Sequence, residues 1–346
     1  MRYYTQQHPY YCGIDLHARS MYICIVDRDG KTLFHENRAV NADVLQQAIA
    51  PYLPDVAISV ECIFTWYWIA DFCAERDIPF VLGHALYMKA IHGSKTKNDK
   101  IDSYKIAMLL KAGMMPIAYV YPANMRSTRD LLRRRMHFMR KRAELLSHIQ
   151  NTRHQYNLPA FEKAIAYKAN RINLLEHFTD PGVQQSIFLD MELINRYDEL
   201  LQKTELYILK HAKINCAQEL FLLQTIPGVG KILAMVILYE LHDVNRFERV
   251  QNFCSYARLI KPLKESAGKT KGSGNKKMGN AYLKWAFSEA VILLLRESEA
   301  VKEQHQKLKN RHGKARALAI LSHKLGRAVY YMLKNKKAFD VNQFVK

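Results

Sequence analysis

The chain has 346 residues, 49% of them hydrophobic and 24% charged, enough to bury a large core and a prior for two or more domains. Its 52 Lys and Arg against 32 Asp and Glu leave a formal net charge of +20, which points to a polyanionic partner. No apolar run approaches the roughly 20 residues needed to span a bilayer, and the start MRYYTQQHPYY lacks a basic-then-apolar leader pattern. These features place the protein inside the cell, in the cytoplasm. The cysteines at 12, 24, 62, 73, 216 and 254 form no CxxC pair and mostly lie in apolar runs, so they read as reduced core residues, neither zinc ligands nor disulfides.

From the N-terminus, YYCGIDLHARSMYICIVDRDGKTLF predicts an apolar strand closed by Asp15, a short turn, a second strand, and Asp-Gly turn chemistry before a third. The run VAISVE predicts another strand with Glu61 at its tip, able to pair beside the first. A Gly/Ser/Lys-rich segment then leads into a helical pattern opened by Asp99 and Asp102, whose i, i+3 spacing puts both on one face. Carboxylates in the order strand-Asp, strand-Glu, helix-AspxxAsp suit hard divalent cations, a pair of which can clamp the attacking and leaving oxygens of a phosphodiester. The competing explanation is local: a strand-ending Asp, and two acids favoured at a helix N-terminus by its dipole. His17 could touch a scissile phosphate or simply be an exposed strand-end histidine, and Trp66, Tyr67 and Trp68 read as packing residues at the start of a helix. Residues 9–115 as a whole alternate strands and helices, giving a mixed sheet with flanking helices.

Residues 123–217 look continuously helical, broken near Leu158-Pro159 and Asp180-Pro181-Gly182, which fits two long antiparallel helices forming a coiled-coil arm for self-association. The first carries RSTRDLLRRRMHFMRKR, a basic stretch that includes Arg126, Arg133, Arg134 and Arg135 and reads as a nucleic-acid contact or as a solvated helix face. Beyond it, Ile226-Pro-Gly-Val-Gly230 interrupts two helical stretches in the pattern of a helix-hairpin-helix. There Gly228 and Gly230 would let backbone N–H groups approach a phosphate, and Lys231 would add charge. Residues 265–279 then form a basic, small-residue loop containing Ser266 and Ser273, with Lys269, Lys271, Lys276 and Lys277 placed to touch phosphates. Either serine, set beside a phosphodiester, could form a covalent phosphoserine link. A C-terminal helix bearing Arg311, Lys314, Arg316, Lys324 and Arg327 completes the basic region: residues 249–337 hold 21 Lys/Arg against 5 Asp/Glu, whereas residues 1–95 hold 8 against 10. There is no internal repeat and no low-complexity segment.

These residues resemble a known family over nearly the whole chain: insertion-sequence transposases that join an N-terminal RuvC-like, RNase H-like DEDD domain to a C-terminal transposase domain with a catalytic serine. The resemblance rests on GIDLH at Asp15, on Glu61 followed by WYW, on Lys97-Asn-Asp-x-x-Asp102, on the IPGVG hairpin, and on PLKESAGK followed by KKMGNAYLK. Ser266 matches the family serine, and Lys277, Gly279 and Asn280 match its Lys-x-Gly-Asn segment, while Ala267 stands where glycine commonly follows the serine. The resemblance implies an α/β RuvC-like domain over 1–118, a helical arm over 119–217 and a mainly α transposase domain over 218–346. It also implies a DNA recombinase in which Asp15, Glu61, Asp99 and Asp102 bind Mg²⁺, or Mn²⁺ in its place, and Ser266 holds one DNA end covalently. Partners implied in the same way are donor and target duplex DNA, a structured bridge RNA as guide, and further copies of the chain, as dimers assembling into a tetramer.

Three other functions compete. A structure-specific endonuclease would use the same carboxylates with water as nucleophile. An actin-like ATPase or sugar kinase also begins with a strand-Gly-Ile-Asp turn, but no second phosphate loop is evident and the C-terminal charge has no place in it. A non-catalytic nucleic-acid-binding protein would explain the charge and leave the carboxylates structural.

Overall fold

The computed structural model describes residues 2–91, 98–215, 217–275 and 277–346, with the side chains of residues 212–215, 264, 265, 270 and 273 outside that description. Lys97, Cys216, Lys276 and the Ser273 side chain therefore lie outside the described residues. The chain divides into two compact units, Met1–Ala123 and Asn124–Lys346.

The first unit is built on a five-stranded mixed sheet. Its short opening strand β1 (Tyr3–Tyr4) precedes the predicted meander of β2 (Tyr10–Leu16), β3 (Ser20–Asp27) and β4 (Thr32–Ala39). Helix α1 (Ala42–Ile49) leads to β5 (Val56–Glu61), α2 (Tyr67–Ala74) to β6 (Phe80–Gly83), and α3 (Ala85–Ile91), α4 (Asp99–Lys111) and β7 (Met115–Pro116) follow. The sheet runs β4-β3-β2-β5-β6, and β7 pairs with β1 apart from it. Pairing is antiparallel through the meander and parallel from β2 to β5 and from β5 to β6. Because strand side chains alternate, each strand feeds two layers. Cys12, Ile14 and Leu16 pack with Ile58, Val60, Leu45, Ile49, Ile69 and Phe72 on the α1/α2 side, whereas Tyr11, Ala57, Val81 and Met88 pack with Ile106, Ala107 and Leu110 of α4 on the other.

The second unit is helical apart from one hairpin. Helices α5 (Ala123–Gln155) and α6 (Pro181–Asn215) lie antiparallel, stitched by ion pairs Arg135–Glu205 at 2.7 Å and Arg142–Asp198 at 2.6 Å and by a His148–Asp190 side-chain contact at 2.6 Å. Ile149 meets Ile187 and Ile194 in an apolar cluster along the same seam. Next come α7 (Ala217–Gln224), α8 (Lys231–Leu241) and α9 (Val250–Tyr256). Every residue of α8 from Leu233 to Leu241 is buried, as expected of a helix surrounded by others. Where the sequence predicts a loop, β8 (Leu263–Ser266) and β9 (Lys269–Ser273) form an antiparallel hairpin. Helices α10 (Ala281–Glu297), α11 (Glu299–His312), α12 (Lys314–Asn335) and α13 (Val341–Val345) close the unit. The predicted C-terminal basic helix is thus two: Gly313, at φ +81°, separates Arg311 on α11 from Lys314, Arg316, Lys324 and Arg327 on α12. Phe253, Phe287 and Tyr330 sit at the centre of the core that α7 to α10, α12 and α13 share.

Of the five described cysteines, all free, Cys12, Cys24, Cys73 and Cys254 are buried as expected, while Cys62 is exposed beside Glu61. Trp66 is buried in the α1/α2-side core, with Tyr67 and Trp68 packed against it. Among the described residues, no helix is long and apolar enough to cross a membrane.

Candidate metal centre and nucleic-acid interface

Asp15 is the penultimate residue of β2 and Glu61 the last of β5. These strands are parallel neighbours with Ile14 opposite Val60, so one further step along each brings the two carboxylates side by side at the strands' C-terminal ends. Open α/β sheets characteristically place their ligand sites at such ends. Alternation puts Asp15 on the face it shares with Tyr11 and Gly13, the face that α4 covers.

Gly13 sets how closely that helix approaches. A Cβ there would lie 2.3 Å from the Ala107 nitrogen and 2.4 Å from the Ser103 carbonyl oxygen, both backbone atoms of α4. Lacking one, the strand lets the helix lie directly on it. The first turn of α4 is fixed twice more: the Asn98 side chain accepts from the Ile101 N–H at 2.8 Å, and His35 of β4 contacts the Lys100 carbonyl at 2.9 Å and the Ser103 hydroxyl at 3.2 Å. Asp99 and Asp102 are thereby held above the end of β2, with Lys105 3.5 Å from Asp102.

Of the four carboxylates predicted from sequence, Asp15 lies close enough to the other three to feel their charge. Burial, the largest cause, pushes the Asp15 carboxyl above its ordinary range; His17 pulls it down more strongly than any one of Asp99, Asp102 or Glu61 pushes it up. The His17 Nε2 lies 3.5 Å from Asp15 and 3.4 Å from Asp99. Ligand atoms of Asp15, His17 and Asp99 all fall within 4.8 Å of one another. A half-buried carboxylate crowded by like charge is a donor set that a divalent cation would relieve, and the residues present fit such an ion. The His17 approach to Asp15 has a local sequence signal in the Asp15-x-His17 spacing, but its closeness to Asp99 depends on a residue 82 positions away and could not be read from spacing.

In the second unit, Ser266 is exposed at the end of β8, at the tip of the hairpin. Ala267 and Gly268 make the turn with φ +52° and +69°, the left-handed pair that a two-residue hairpin turn requires. Ala267 thus adopts the conformation its Cβ disfavours. Lys269, paired with Ser266 across the hairpin, and Lys271 are both exposed, as is Lys277.

The Lys277-to-Asn280 segment is tied to a buried polar network. Asn280 caps α10 by accepting from the Tyr282 and Leu283 N–H groups, and its amide donates at 2.8 Å to Glu240, which is 1% exposed. Arg129 and Arg133 of α5 donate to the same carboxylate at 3.1 Å and 2.6 Å, and Arg133 also stacks over Tyr282. Arg258 donates to the Gly279 carbonyl at 2.8 Å and to that of Lys277. Glu240 and Arg258, neither of which stands out in the sequence, therefore set this turn.

The remaining basic residues divide by environment. Arg126 is buried, Arg133 is committed to Glu240 and Arg135 to Glu205, whereas Arg134 is exposed. At the α7–α8 connection, Gly228 has φ +80° and a Cβ there would lie 2.8 Å from the Leu293 backbone, so this glycine permits close packing on α10. Gly230 has nothing within 4 Å of a Cβ position, and with Lys231 it leaves the α8 N-terminus exposed and without a side-chain cap.

Two family models match this chain. Residues 12–157 match a transposase model, the DEDD domain of IS110 elements, and residues 221–306 match one described as transposase, IS116/IS110/IS902 family. Over 338 residues the chain is 23% identical to the transposase for insertion sequence element IS1111A of Coxiella burnetii, spanning 94% of this chain and 90% of that protein. Over 210 residues it is 22% identical to a Sinorhizobium fredii protein named as a transposase, spanning 58% of this chain and 48% of that one. The mixed sheet with its strand-end and helix-start acids is thus a DEDD transposase domain, RNase H-like in fold, and such a domain implies a divalent metal. The chain belongs to the IS110/IS116/IS902 family and is an insertion-sequence transposase, whose substrates are DNA.

Proposed function

We propose that this transposase cuts and rejoins DNA through two sets of groups, the carboxylates Asp15, Glu61, Asp99 and Asp102 and the hydroxyl of Ser266. The observation that carries the reading is that Asp15, at the end of β2, shares ligand distance with Asp99 and feels the charge of Glu61 and Asp102, in a chain of net charge +20. Mg²⁺ bound by those acids would supply Lewis-acid polarisation of the scissile phosphate and stabilise charge on the leaving oxygen. The chain's own residues do the rest. Ser266 Oγ attacks phosphorus, an Oγ–P bond forms as one P–O bond to deoxyribose breaks, and the hydroxyl proton passes to the released deoxyribose oxygen. Attack by a hydroxyl of another strand reverses these changes and frees the serine, so the phosphodiester is conserved and no nucleotide triphosphate is needed.

Lys269, Lys271, Lys276 and Lys277 are placed in this reading to hold phosphates beside Ser266, with Ser273 as the alternative nucleophile. Arg134 and the Gly228–Lys231 connection, acting as a helix-hairpin-helix, would contact backbone phosphates elsewhere. The buried Arg126, and Arg133 and Arg135 in their ion pairs, would act by fixing α5 instead. The α5–α6 pair would serve as a coiled-coil arm through which copies associate into dimers and a tetramer on donor and target duplexes. A structured RNA from the flanking DNA would act as guide, and the complex would work in the cytoplasm on the nucleoid.

The test is to co-express the protein with transcripts of its flanking DNA, add donor and target duplexes with Mg²⁺, and seek a protease-sensitive protein–DNA adduct. Wild type should form it and Ser266→Ala should not, while binding persists. Cut ends without an adduct would replace the serine by water, making the protein an endonuclease, and an adduct retained in Ser266→Ala but lost in Ser273→Ala would move the nucleophile.

A further inference from the structure

The carboxylate cluster contains one group that an all-oxygen centre does not require. His17 follows Asp15 by two residues, one position past the end of β2. Its backbone is anchored, because the His17 N–H donates to the Ser20 carbonyl at 2.9 Å and the preceding Leu16 carbonyl accepts from the Thr65 hydroxyl at 3.3 Å. From that anchor the imidazole reaches over Asp15 toward the first residue of α4. It stands 3.5 Å from one carboxylate and 3.4 Å from the other, belonging to different elements.

Those separations are informative. Charge-assisted hydrogen bonds between a ring N–H and a carboxylate lie at about 2.7–2.9 Å, so neither contact is a well-formed ion pair. Two donors held in adjacent positions by one octahedral cation, each at about 2.1 Å, lie roughly 3 Å apart. The spacing of His17 to both acids, longer than a hydrogen bond and common to both, is nearer to that of ligands around a shared ion. We propose that His17 Nε2 is itself a ligand of the metal held by Asp15 and Asp99, making this a mixed nitrogen and oxygen centre. The proposal rests on the metal-site reading above and deepens it. An imidazole ligand favours transition metals over Mg²⁺, which prefers oxygen donors and retains its waters. His17 therefore sets which divalent ion the centre accepts.

The test uses the full-length metal-free protein with Mn²⁺ alone and no nucleic acid. Pulsed electron paramagnetic resonance should detect nitrogen coupling from a directly bound imidazole in wild type. His17→Ala should lose the coupling yet still bind Mn²⁺, with affinity lowered by at least roughly tenfold, the low end of the cost of losing even an outer-shell partner of a metal ligand. Mg²⁺ should displace Mn²⁺ correspondingly more easily from the variant than from wild type. The side chain is 48% exposed, so its removal should leave the melting temperature unchanged. Bound Mn²⁺ without nitrogen coupling in wild type, or coupling that persists in His17→Ala, would overturn the proposal and leave the carboxylate site standing. Failure of wild type to bind Mn²⁺ at all, with Asp15→Asn behaving identically, would remove the metal-site reading and this inference together.

Discussion

Asp15 is a position whose burial and acidic neighbours work against its charge while the proposed chemistry needs that charge. Burial and three nearby acids oppose its ionisation, and His17, 3.5 Å away, offsets only part of that, so the carboxyl stays above its ordinary range. Asp99→Asn, at the helix start, should lower DNA cutting by ~10²-fold or more, the scale of losing one preorganised charged group. Duplex binding in a chelator should stay near wild type, as gel-shift titration would show. Glu240 is the opposite case, a charge whose partners are all in place. Burial pushes its carboxyl up, but hydrogen bonds and charge from Arg133 and Arg129 outweigh burial and hold it below its ordinary value. Glu240→Ala would strand those guanidiniums and should destabilise the second unit by about 3–5 kcal/mol. Because the folded-state value is depressed, this stabilisation is present above the reference value of 4.5 and is lost as pH falls below it. Melting curves of wild type and Glu240→Gln should therefore differ at neutral pH and converge in acid.

At the scale of elements, the site depends on contacts that no acidic residue makes. Gly13→Ala would force a Cβ against the α4 backbone, and because a backbone cannot turn aside as a side chain can, the helix must lift. Such overpacking costs about 1–3 kcal/mol. It should also reduce cutting by displacing Asp99 and Asp102, a loss that thermal melting and cleavage assays on one preparation would separate from unfolding. Ala267→Gly should act in the other direction, relieving about 1 kcal/mol of left-handed strain at the hairpin tip, with adduct formation retained. Much of the first unit was legible because strands ending in an acid, an Asp-Gly turn and a helix opened by an Asp-x-x-Asp pair are each local patterns, whereas the Asn98 cap went unread. The hairpin was not: its strands, Leu263–Ser266 and Lys269–Ser273, lack apolar alternation, and a Gly/Ser/Lys-rich run reads as loop. Nor could the arginines of α5 be sorted from sequence. Arg133 meets Glu240 across 107 positions and Arg135 meets Glu205 across 70, so a run that looks like one basic face divides into interior ties and an exposed Arg134.

At the scale of the whole molecule, charge and chemistry are divided along the chain. The acids that fit a metal belong to the first unit, and the basic excess and Ser266 to the second. If exposed residues such as Lys269, Lys271, Arg311, Lys314 and Arg316 hold DNA mainly by its phosphates, affinity should fall steeply with salt. A loss of ~10³-fold between about 50 mM and about 200 mM is expected for six or more phosphate contacts. The slope from binding titrations should drop by about one unit when a phosphate-contacting lysine such as Lys271 is changed to alanine.

The most direct test of the account is strand cleavage of duplexes carrying the element's ends and its target, with protein co-expressed with the flanking transcripts, in Mg²⁺ and in chelator, for wild type and Asp15→Asn. Cutting by wild type in Mg²⁺ alone, with none by Asp15→Asn although it still binds the duplex, is the predicted result. Cutting by Asp15→Asn at the wild-type rate would show that the carboxylates at the end of β2 are not where the chemistry occurs.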